Sequence, residues 1–421
     1  MRVLFAAQGP SHVQWQIPLA WAAQLAGHEV LVATRPPDVG QVTRAGLPAV
    51  PVGDEERTAS LVRAVREEFV AAVRSRAAGQ GGRPAPTEQE LVVAGGRKMI
   101  AIADGMADDA VEVARRWRPE VVVHDTGALV GQVVAGVLGV PAFGHTWGAT
   151  VEGVFGAAER QLRPSLAALF GRFGAEPESA GEPVWIDPSP PSMRTPLPLR
   201  RIDLRYTPYS GPGVLRDWLW GAERPRVCVT AGISGADPAA PWGGGVQGRV
   251  LEYLTGQGYE VVLAVRDASA LAGGRLPEGV RVVESFPLNV LLPTCAAVVH
   301  HGGVGTGTTG LALGLPQLVL GAHLVHRQWG ERVASAGAGL TLPVDASAAG
   351  GGEAAGELPK GLDDALERLV GDAALRAGAR RVAAEIAAMP APAEVVRILE
   401  ERASEASSSR APARVHAPGR A

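Results

Sequence analysis

The sequence predicts an α/β protein built from two doubly wound, Rossmann-like domains. Short apolar strands alternate with segments of helical periodicity along two separate stretches, which predicts a parallel sheet in each stretch. A cluster of prolines separates the two stretches, and a chain of 421 residues is long enough to build two full cores.

In the first stretch, short apolar runs predict the strands, and the segments of helical periodicity between them predict the helices. The predicted strands lie at 2–7, 28–34, 120–124 and 140–144. The predicted helices lie at 17–26, 58–76, 88–117 and 129–138. The second stretch repeats the pattern, with strands at 226–230, 260–264, 280–283, 296–299 and 317–320.

The proline-rich segment between the stretches marks a domain boundary. Proline restricts its own φ and the residue before it, so this segment is predicted to be an extended linker. We expect an N-terminal domain over 1–212, with the linker at about 187–216, and a C-terminal domain over 213–388. A last helix is expected over 389–402, and residues 403–421, which lack apolar periodicity, are expected to be disordered.

Composition excludes several classes of function. A formal net charge of -3 leaves no basic footprint, so we expect no nucleic-acid partner. No apolar run reaches the roughly 18 residues of a membrane span. The apolar amino terminus is too short for a signal peptide, and the two cysteines lie in apolar surroundings, which predicts reduced thiols in a cytoplasmic protein.

The segment 300–309, HHGGVGTGTT, places two imidazoles and four glycines between a strand and a helix. The first N–H groups of a helix lack intrahelical partners, and this end carries roughly half a positive charge. Such a helix start binds anions, phosphates above all. We therefore predict a phosphate site here, with a purely structural glycine-rich turn as the alternative.

Two further groups face the predicted cleft of the first domain. His12 follows the first strand, where an imidazole is suited to general-base catalysis, and Ser11 before it is a candidate helix cap. Asp125 ends the strand that begins near residue 120, and strands one and four of such sheets are commonly neighbours. Asp125 is therefore a candidate to bind His12 and hold its tautomer. The alternatives are a solvated or capping histidine and an aspartate that only caps a helix.

Three residues in the second half are further candidates for the cleft. Ser234, in the turn after the strand at 226–230, is a candidate second phosphate contact or part of a simple turn. His323 and His326 follow the strand at 317–320 and face the cleft. They have no cysteine or carboxylate nearby to complete a zinc site, so no metal is predicted.

Several motifs together resemble one known family. They are SH at 11–12, PLAW at 18–21, AGHEV at 26–30, DPSPPS at 187–192, RPRVCVT at 224–230, PLN at 287–289, HHGGVGT at 300–306 and MPAP at 389–392. The chain is similar to inverting glycosyltransferases of family 1, which have the GT-B fold. Among these it resembles actinomycete enzymes that attach deoxysugars to polyketide-type natural products. The resemblance extends from Met1 to about Arg402.

The resemblance implies a role for each matching residue. His12 matches the general base of the family, and Asp125 matches the aspartate that orients this base. The residues that match the donor-diphosphate site are Ser234, His301, Gly302, Gly303, Gly305 and Thr306. Those that match the segment beside the nucleobase are Ser285, Phe286 and Pro287.

The chain departs from the family in the region that contacts the donor sugar. Many relatives carry an Asp-Gln or Trp-Asp pair after the strand at 317–320. Here Val325 stands where the acid is expected, and His326 or Gln328 replaces the amide. We place the donor-sugar region at His323, His326 and Gln328, and we expect sugar recognition to be unusual.

The acceptor is expected in the first domain, between residues 55–100 and 144–173. The candidates are Met99, His145, Trp147 and Phe155. Their largely apolar character suits a flat, hydrophobic aglycone. The alternative is that these residues are ordinary core.

The activity that the resemblance implies is the inverting transfer of a deoxysugar from a nucleoside diphosphate, with dTDP favoured, to a hydroxyl of a hydrophobic aglycone. No metal or other cofactor is implied, whereas a homodimer and an auxiliary activator protein are both compatible with the family. Two alternatives stay open. One is a catalytically silent, glycosyltransferase-like partner protein, and the other is a nucleotide-sugar epimerase, which needs more cleft carboxylates than Asp125 alone.

Overall fold

The computed structural model describes residues 1–78, 86–148, 158–182, 184–194, 199–232, 243–271, 276–344 and 358–410. Within these ranges the chain forms two parallel β-sheets, one of seven strands and one of six. The predicted pair of doubly wound sheets is therefore confirmed. No helix in the described part of the chain is long and apolar enough to span a membrane.

The first sheet belongs to the N-terminal half. Its strands are β1 Arg2–Ala7, β2 Glu29–Thr34, β3 Ala49–Pro51, β4 Val121–Asp125, β5 Ala142–His145, β6 Val184–Asp187 and β7 Arg200–Asp203. They lie in the order β3-β2-β1-β4-β5-β6-β7, and every neighbouring pair is parallel. The predicted contact between strands one and four is confirmed as the pairing of β1 with β4, where the strand order reverses.

The second sheet belongs to the C-terminal half. Its strands are β8 Arg226–Thr230, β9 Glu260–Val265, β10 Val280–Glu284, β11 Ala297–His300, β12 Gln317–Gly321 and β13 Gly339–Pro343. Their order is β10-β9-β8-β11-β12-β13, again with parallel neighbours. Here the order reverses between β8 and β11. Ligands of such sheets bind at the carboxyl ends of the strands beside a reversal of this kind.

Helices cover both faces of the two sheets. In the N-terminal half they are α1 Pro10–Leu25, α2 Val39–Arg44, α3 Glu55–Ala78, α4 Glu88–Trp117, α5 Val130–Leu138 and α6 Glu159–Gly171. In the C-terminal half they are α7 Gly243–Gly256, α8 Leu288–Leu291, α9 Val304–Ala312, α10 Leu324–Ser335, α11 Leu362–Gly371, α12 Ala373–Ala388 and α13 Pro392–Arg410. The long helix α4 begins with a capping box in which the Thr87 side chain accepts from Glu90 N–H and the Glu90 carboxylate accepts from Thr87 N–H.

Strand β7 corrects the expectation for the linker. Residues 200–203 lie inside the segment predicted to be an extended linker, and they are extended, but they pair with β6 at the edge of the first sheet. β7 is the edge strand, and its sequence RRID carries little apolar periodicity, whereas β6 lies inside the sheet and buries Trp185 and Ile186. The extended backbone of β7, rather than an apolar face, allows it to pair with β6.

The last helix, α13, packs back on the N-terminal half. Val395, Val396 and Leu399 are buried against an apolar cluster that includes Ile17 of α1. The predicted start of a disordered tail at 403 is wrong, because Ala403 is buried in the same cluster and α13 continues to Arg410. Residues 411–421 lie outside the described part of the chain.

Two buried histidines lie near the carboxyl ends of the neighbouring strands β4 and β5. His124 on β4 and His145 on β5 each place Nδ1 against the carbonyl oxygen of the next residue, at 2.9 and 2.8 Å. Burial disfavours the charged imidazolium, so it lowers the pKa of His124 and lowers that of His145 to about 4.

These neutral imidazoles should make the fold sensitive to acid. The unfolded chain binds a proton at each histidine near pH 6.5, whereas folded His145 binds one only near pH 4. The free energy of unfolding should therefore fall as the pH falls from 6.5 towards 4. The steepest slope for each such histidine is about 1.4 kcal/mol per pH unit.

Urea unfolding of the wild type and His145→Gln across this range measures the effect. The variant should lose less stability than the wild type on acidification, whatever its stability at neutral pH. If the free energy of unfolding falls equally steeply with pH in the two proteins, His145 does not contribute to the acid sensitivity.

Candidate active site

A cavity of about 660 Å³ lies between the two halves, at the carboxyl ends of both sheets. The N-terminal half contributes the turn after β1, the start of α1 and the loop after β5. The C-terminal half contributes the ends of β8 and β9, the turn after β10 and the start of α9. Lining residues with polar or aromatic side chains include Ser11, His12, Trp15, Trp147, Tyr206, Thr230, Ser285, Phe286, His301, Thr306, Thr309 and His326.

His12 lies in the first turn of α1 and lines this cavity. Its Nδ1 is 3.0 Å from Oδ1 of Asp125, and the His12 side chain is 21% exposed whereas that of Asp125 is 2% exposed. The predicted contact between these residues is confirmed. Since the carboxylate accepts a hydrogen bond from Nδ1–H, Nε2 is left unprotonated and free to act as a base.

The Asp125 carboxylate also accepts three backbone hydrogen bonds. Oδ1 accepts from Gly127 N–H at 2.5 Å and Ala128 N–H at 3.2 Å, and Oδ2 accepts from Gln8 N–H at 3.1 Å. Asp125 therefore binds His12 and also caps the turn after β4, but it is not a helix cap, because the next helix has Leu129 at its N-cap. Four donors hold the buried carboxylate in one orientation.

The turn before α1 differs from the expectation. Ser11 is not the helix cap, because α1 begins at Pro10 and Gly9 occupies the N-cap position with a φ of 79°. Gly9 N–H donates to the Asp38 carboxylate at 2.7 Å, and burial raises the pKa of that carboxyl group. Sequence reasoning missed Asp38, whose position after β2 was its only signal.

The Trp147 ring covers one face of the His12 imidazole, with centroids 4.3 Å apart and a tilt of 41°. Trp147 follows β5 and lines the cavity. Its Nε1 is buried and has no hydrogen-bond partner among the described residues. The ring of Trp147, a residue expected in the acceptor region, therefore lies beside the proposed base at the cavity wall.

The two consecutive histidines after β11 separate. His300 is fully buried, donates from Nε2 to Gln317 Oε1 at 2.8 Å and accepts at Nδ1 from Gly302 N–H at 3.2 Å. Burial lowers the pKa of His300 to about 4. Gln317 in turn donates to Gly307 O at 2.7 Å, so His300 supports the turn while His301 lines the cavity.

The start of α9 has the geometry of an anion site. Gly302 has a φ of 97°, a conformation that side chains disfavour, and Gly303 is the N-cap. The first N–H groups of α9 have no intrahelical acceptor. Gly303, Gly305 and Thr306 line the cavity here, whereas Gly302 packs behind them against His326.

His301 and His326 form a perpendicular pair with ring centroids 4.8 Å apart, and the His323 ring lies 5.3 Å from that of His326. Burial, strengthened by the neighbouring imidazoles, lowers the pKa of His301 well below its ordinary value and that of His326 to about 4. The described residues contain no group of three or more His, Cys, Asp or Glu placed to hold a metal.

Of the three residues predicted for the donor sugar, only His326 lines the cavity. His323 is exposed at the N-cap of α10. Gln328 donates to Glu88 Oε1 at 3.3 Å and thereby joins α10 to α4 of the other half.

The segment predicted to lie beside the nucleobase forms one wall. Ser285 and Phe286 line the cavity, whereas Pro287 packs against Gly213 of the linker. Ser285 has a φ of 45°, and its hydroxyl donates to Arg266 O at 2.8 Å. A non-glycine residue in this conformation is strained, and such strain is concentrated at functional sites.

Two further acceptor candidates, Met99 and His145, do not line the cavity. Met99 is half-buried against the apolar cluster around α4, and His145 is buried, with 1% of its surface exposed. His145 is therefore a core residue and Met99 packs against the core, in agreement with the alternative that the sequence leaves open. Phe155 and Ser234 lie outside the described residues.

Two doubly wound sheets that face each other across one cleft are the architecture of GT-B glycosyltransferases. Two family models match the chain. Residues 21–232 match the model "Erythromycin biosynthesis protein CIII-like, N-terminal domain", and residues 248–402 match the model of the C-terminal domain. The chain belongs to this family of actinomycete natural-product glycosyltransferases and is an enzyme that transfers a sugar. The predicted family, fold and enzyme class are confirmed.

Individual proteins match nearly the whole chain. Aclacinomycin-T 2-deoxy-L-fucose transferase of Streptomyces galilaeus is 34% identical over 96% of this chain and 97% of its own. The glycosyltransferase SsfS6 of Streptomyces sp. SF2575, solved with thymidine diphosphate, has a TM-score of 0.74 at 29% identity, covering 95% of this chain and 99% of its own. Spinosyn rhamnosyltransferase SpnG, solved with spinosyn aglycone, has a TM-score of 0.75 at 29% identity, covering 95% and 100%.

The hydrogen bonds predict opposite tautomers for two histidines of the site. His12 should carry its proton on Nδ1, facing Asp125, and His300 on Nε2, facing Gln317. Nitrogen-15 NMR of the imidazoles at neutral pH distinguishes the two forms, with His12→Gln and His300→Gln used for assignment. Finding the His12 proton on Nε2 would contradict the arrangement described for the His12–Asp125 pair.

Proposed function

We propose that this enzyme transfers a deoxysugar, with inversion, from a thymidine diphosphate donor to a hydroxyl of a hydrophobic natural-product acceptor. The observation that carries the proposal is that the His12–Asp125 pair and the start of α9 face one cavity from opposite halves. A base on one side and an anion site on the other are what a displacement at an anomeric carbon requires.

His12 acts as the base in the proposed step. Asp125 holds the imidazole through Nδ1, so Nε2 takes the proton of the acceptor hydroxyl. The oxygen attacks the anomeric carbon from the side opposite the diphosphate, and the bond from that carbon to the diphosphate oxygen breaks with inversion. General-base catalysis of this kind contributes roughly 10²–10⁴-fold.

The start of α9 receives the negative charge that develops on the leaving diphosphate. Backbone N–H groups at Val304 to Thr306 and the imidazole of His301 are donors fixed before the reaction begins. Preorganised donors of this kind contribute a comparable or larger share of the rate enhancement. Ser234 stays a proposed second contact to the diphosphate.

Relatives support the nature of the substrates. SsfS6 was solved with thymidine diphosphate, which supports thymidine as the nucleoside beside Ser285 and Phe286. SpnG was solved with spinosyn aglycone, which supports a natural-product acceptor near Trp147. The relative from Streptomyces galilaeus is named for a 2-deoxysugar, and Val325, an exposed apolar side chain, offers no hydrogen bond to a sugar hydroxyl.

The geometry disfavours the two alternatives. The Asp125 carboxylate accepts hydrogen bonds from four donors and orients the His12 imidazole. A catalytically silent protein has no need of such an arrangement. An epimerase needs several cleft carboxylates, and the described residues that line the cavity include no Asp or Glu. A cytoplasmic location, a homodimer and an activator protein stay predictions.

Removal of the base should separate catalysis from binding. His12→Ala is expected to lower kcat by about 10²–10⁴-fold. Asp125→Asn is expected to lower kcat by a large factor that is smaller than that of His12→Ala, because an amide does not hold the imidazole as a carboxylate does. Both variants should still bind thymidine diphosphate, which calorimetry measures. An active His12→Ala enzyme would exclude His12 from the mechanism.

A methyl group at the N-cap of α9 should weaken donor binding. The Cβ of Gly303→Ala would lie 2.6 Å from Nε2 of His301, so the imidazole must move from its position at the helix start. Affinity for thymidine diphosphate should fall by at least about tenfold, the equivalent of one charge-assisted hydrogen bond.

Gly248→Ala is the matched control, because a Cβ there meets no atom within 4 Å. It should bind thymidine diphosphate as the wild type does. Equal affinities for Gly303→Ala and the wild type would contradict the assignment of the diphosphate site.

A further inference from the structure

The helix that carries the proposed base also carries a tryptophan that reaches the other half of the molecule. Trp15 follows His12 by three residues, so both side chains lie on the same side of α1. Trp15 is 8% exposed and belongs to an apolar cluster whose other buried members come mainly from the C-terminal half. These members are Met193, Val304, Leu311, Val319, Trp329, Val333, Ala336, Ala338, Ala379, Val382 and Ile386.

Trp15 meets the helix start that faces the cavity. A Cβ built on Gly305 would lie 3.6 Å from Trp15 Nε1, an ordinary van der Waals distance. A Cβ on Gly148 would lie 3.1 Å from Val304 Cγ1 and 3.9 Å from Trp15 Cη2. The indole therefore fills the space between the loop after β5 and the first turn of α9.

Tyr206 of the linker completes the contact. Its ring lies 4.7 Å from that of Trp15, tilted by 54°. Thr309 Oγ1 donates to Gly305 O at 2.8 Å, so the Tyr206 hydroxyl, 3.0 Å away, donates to Thr309. Burial raises the pKa of Tyr206 to about 12, which keeps this donor protonated.

We infer that Trp15 is a positioning residue that sets the separation between His12 and the diphosphate site. The inference rests on the proposed function. It needs no contact between Trp15 and the reacting atoms, because Trp15 acts through α1 on one side and α9 on the other. A misplacement of about 1 Å between reacting groups can lower the rate by about 10²-fold.

The test compares two tryptophans of the same helix. Trp21 also packs on a tyrosine, with its ring 4.9 Å from that of Tyr209, and its Nε1 donates to Ala45 O at 2.8 Å. Trp21 belongs to the apolar cluster of the N-terminal half. Trp21→Leu is therefore the matched control for Trp15→Leu, because it removes a comparable indole without touching α9.

Trp15→Leu should lower kcat by about 10²-fold while leaving the Kd for thymidine diphosphate close to that of the wild type. Its kcat/KM should rise with pH through the same range as in the wild type, because the His12–Asp125 pair is intact. Trp15→Phe should recover most of the rate. Trp21→Leu should lower Tm with little effect on kcat.

Two outcomes would overturn the inference. One is wild-type kcat in Trp15→Leu. The other is that Trp15→Leu and Trp21→Leu lose kcat in the same proportion to their loss of Tm. A purely structural role of Trp15 predicts this result.

A distance measurement separates failure of this inference from failure of the proposed function. Cys228 and Cys295 are buried, so spin labels can be directed to Leu25→Cys and Leu313→Cys, one in each half. With thymidine diphosphate bound, Trp15→Leu should broaden the distance distribution relative to the otherwise identical labelled protein. An unchanged distance distribution overturns the inference, whether or not the wild type transfers sugar. A wild type that transfers no sugar would count against the proposed function alone.

Discussion

The parallel pairing of β1 with β4 is the interaction on which the rest of the molecule depends. It sets Ala6 opposite His124, so the turn after β1 and the end of β4 lie side by side at the carboxyl edge of the sheet. The Asp125 carboxylate then accepts N–H groups from both segments and binds His12. Because strand pairing is rigid, the proposed base is oriented before any substrate arrives.

The second sheet repeats this arrangement with different chemistry. The pairing of β8 with β11 sets Thr230 beside His300, and the turn after β11 presents His301 and the start of α9 to the same cavity. Here backbone N–H groups and an imidazole replace the base and carboxylate. The two halves meet through packed aromatic and aliphatic side chains around Trp15, so the separation between the two sites depends on side-chain packing as well as on strand order.

Much of this could be predicted from residue patterns, and the exceptions have physical causes. The adjacency of strands one and four, and with it the contact between His12 and Asp125, follows from doubly wound topology. Position along the chain places His145 and Met99 in the acceptor region, but burial is a property of the packed fold, which buries His145 and packs Met99 against the core. The extension of α13 past residue 402 depends on the burial of Ala403 against α1 and its neighbours, which composition alone does not reveal.

The sequence by itself determined the family, the two parallel sheets and the chemical groups at the ends of their strands, because these depend on local periodicity and on motifs. Only the tertiary structure decided which of two adjacent histidines lines the cavity, which residues after β12 line it, and that Trp15 joins the halves. These outcomes depend on side-chain directions and on contacts between residues far apart in the chain, and neither is encoded in local spacing.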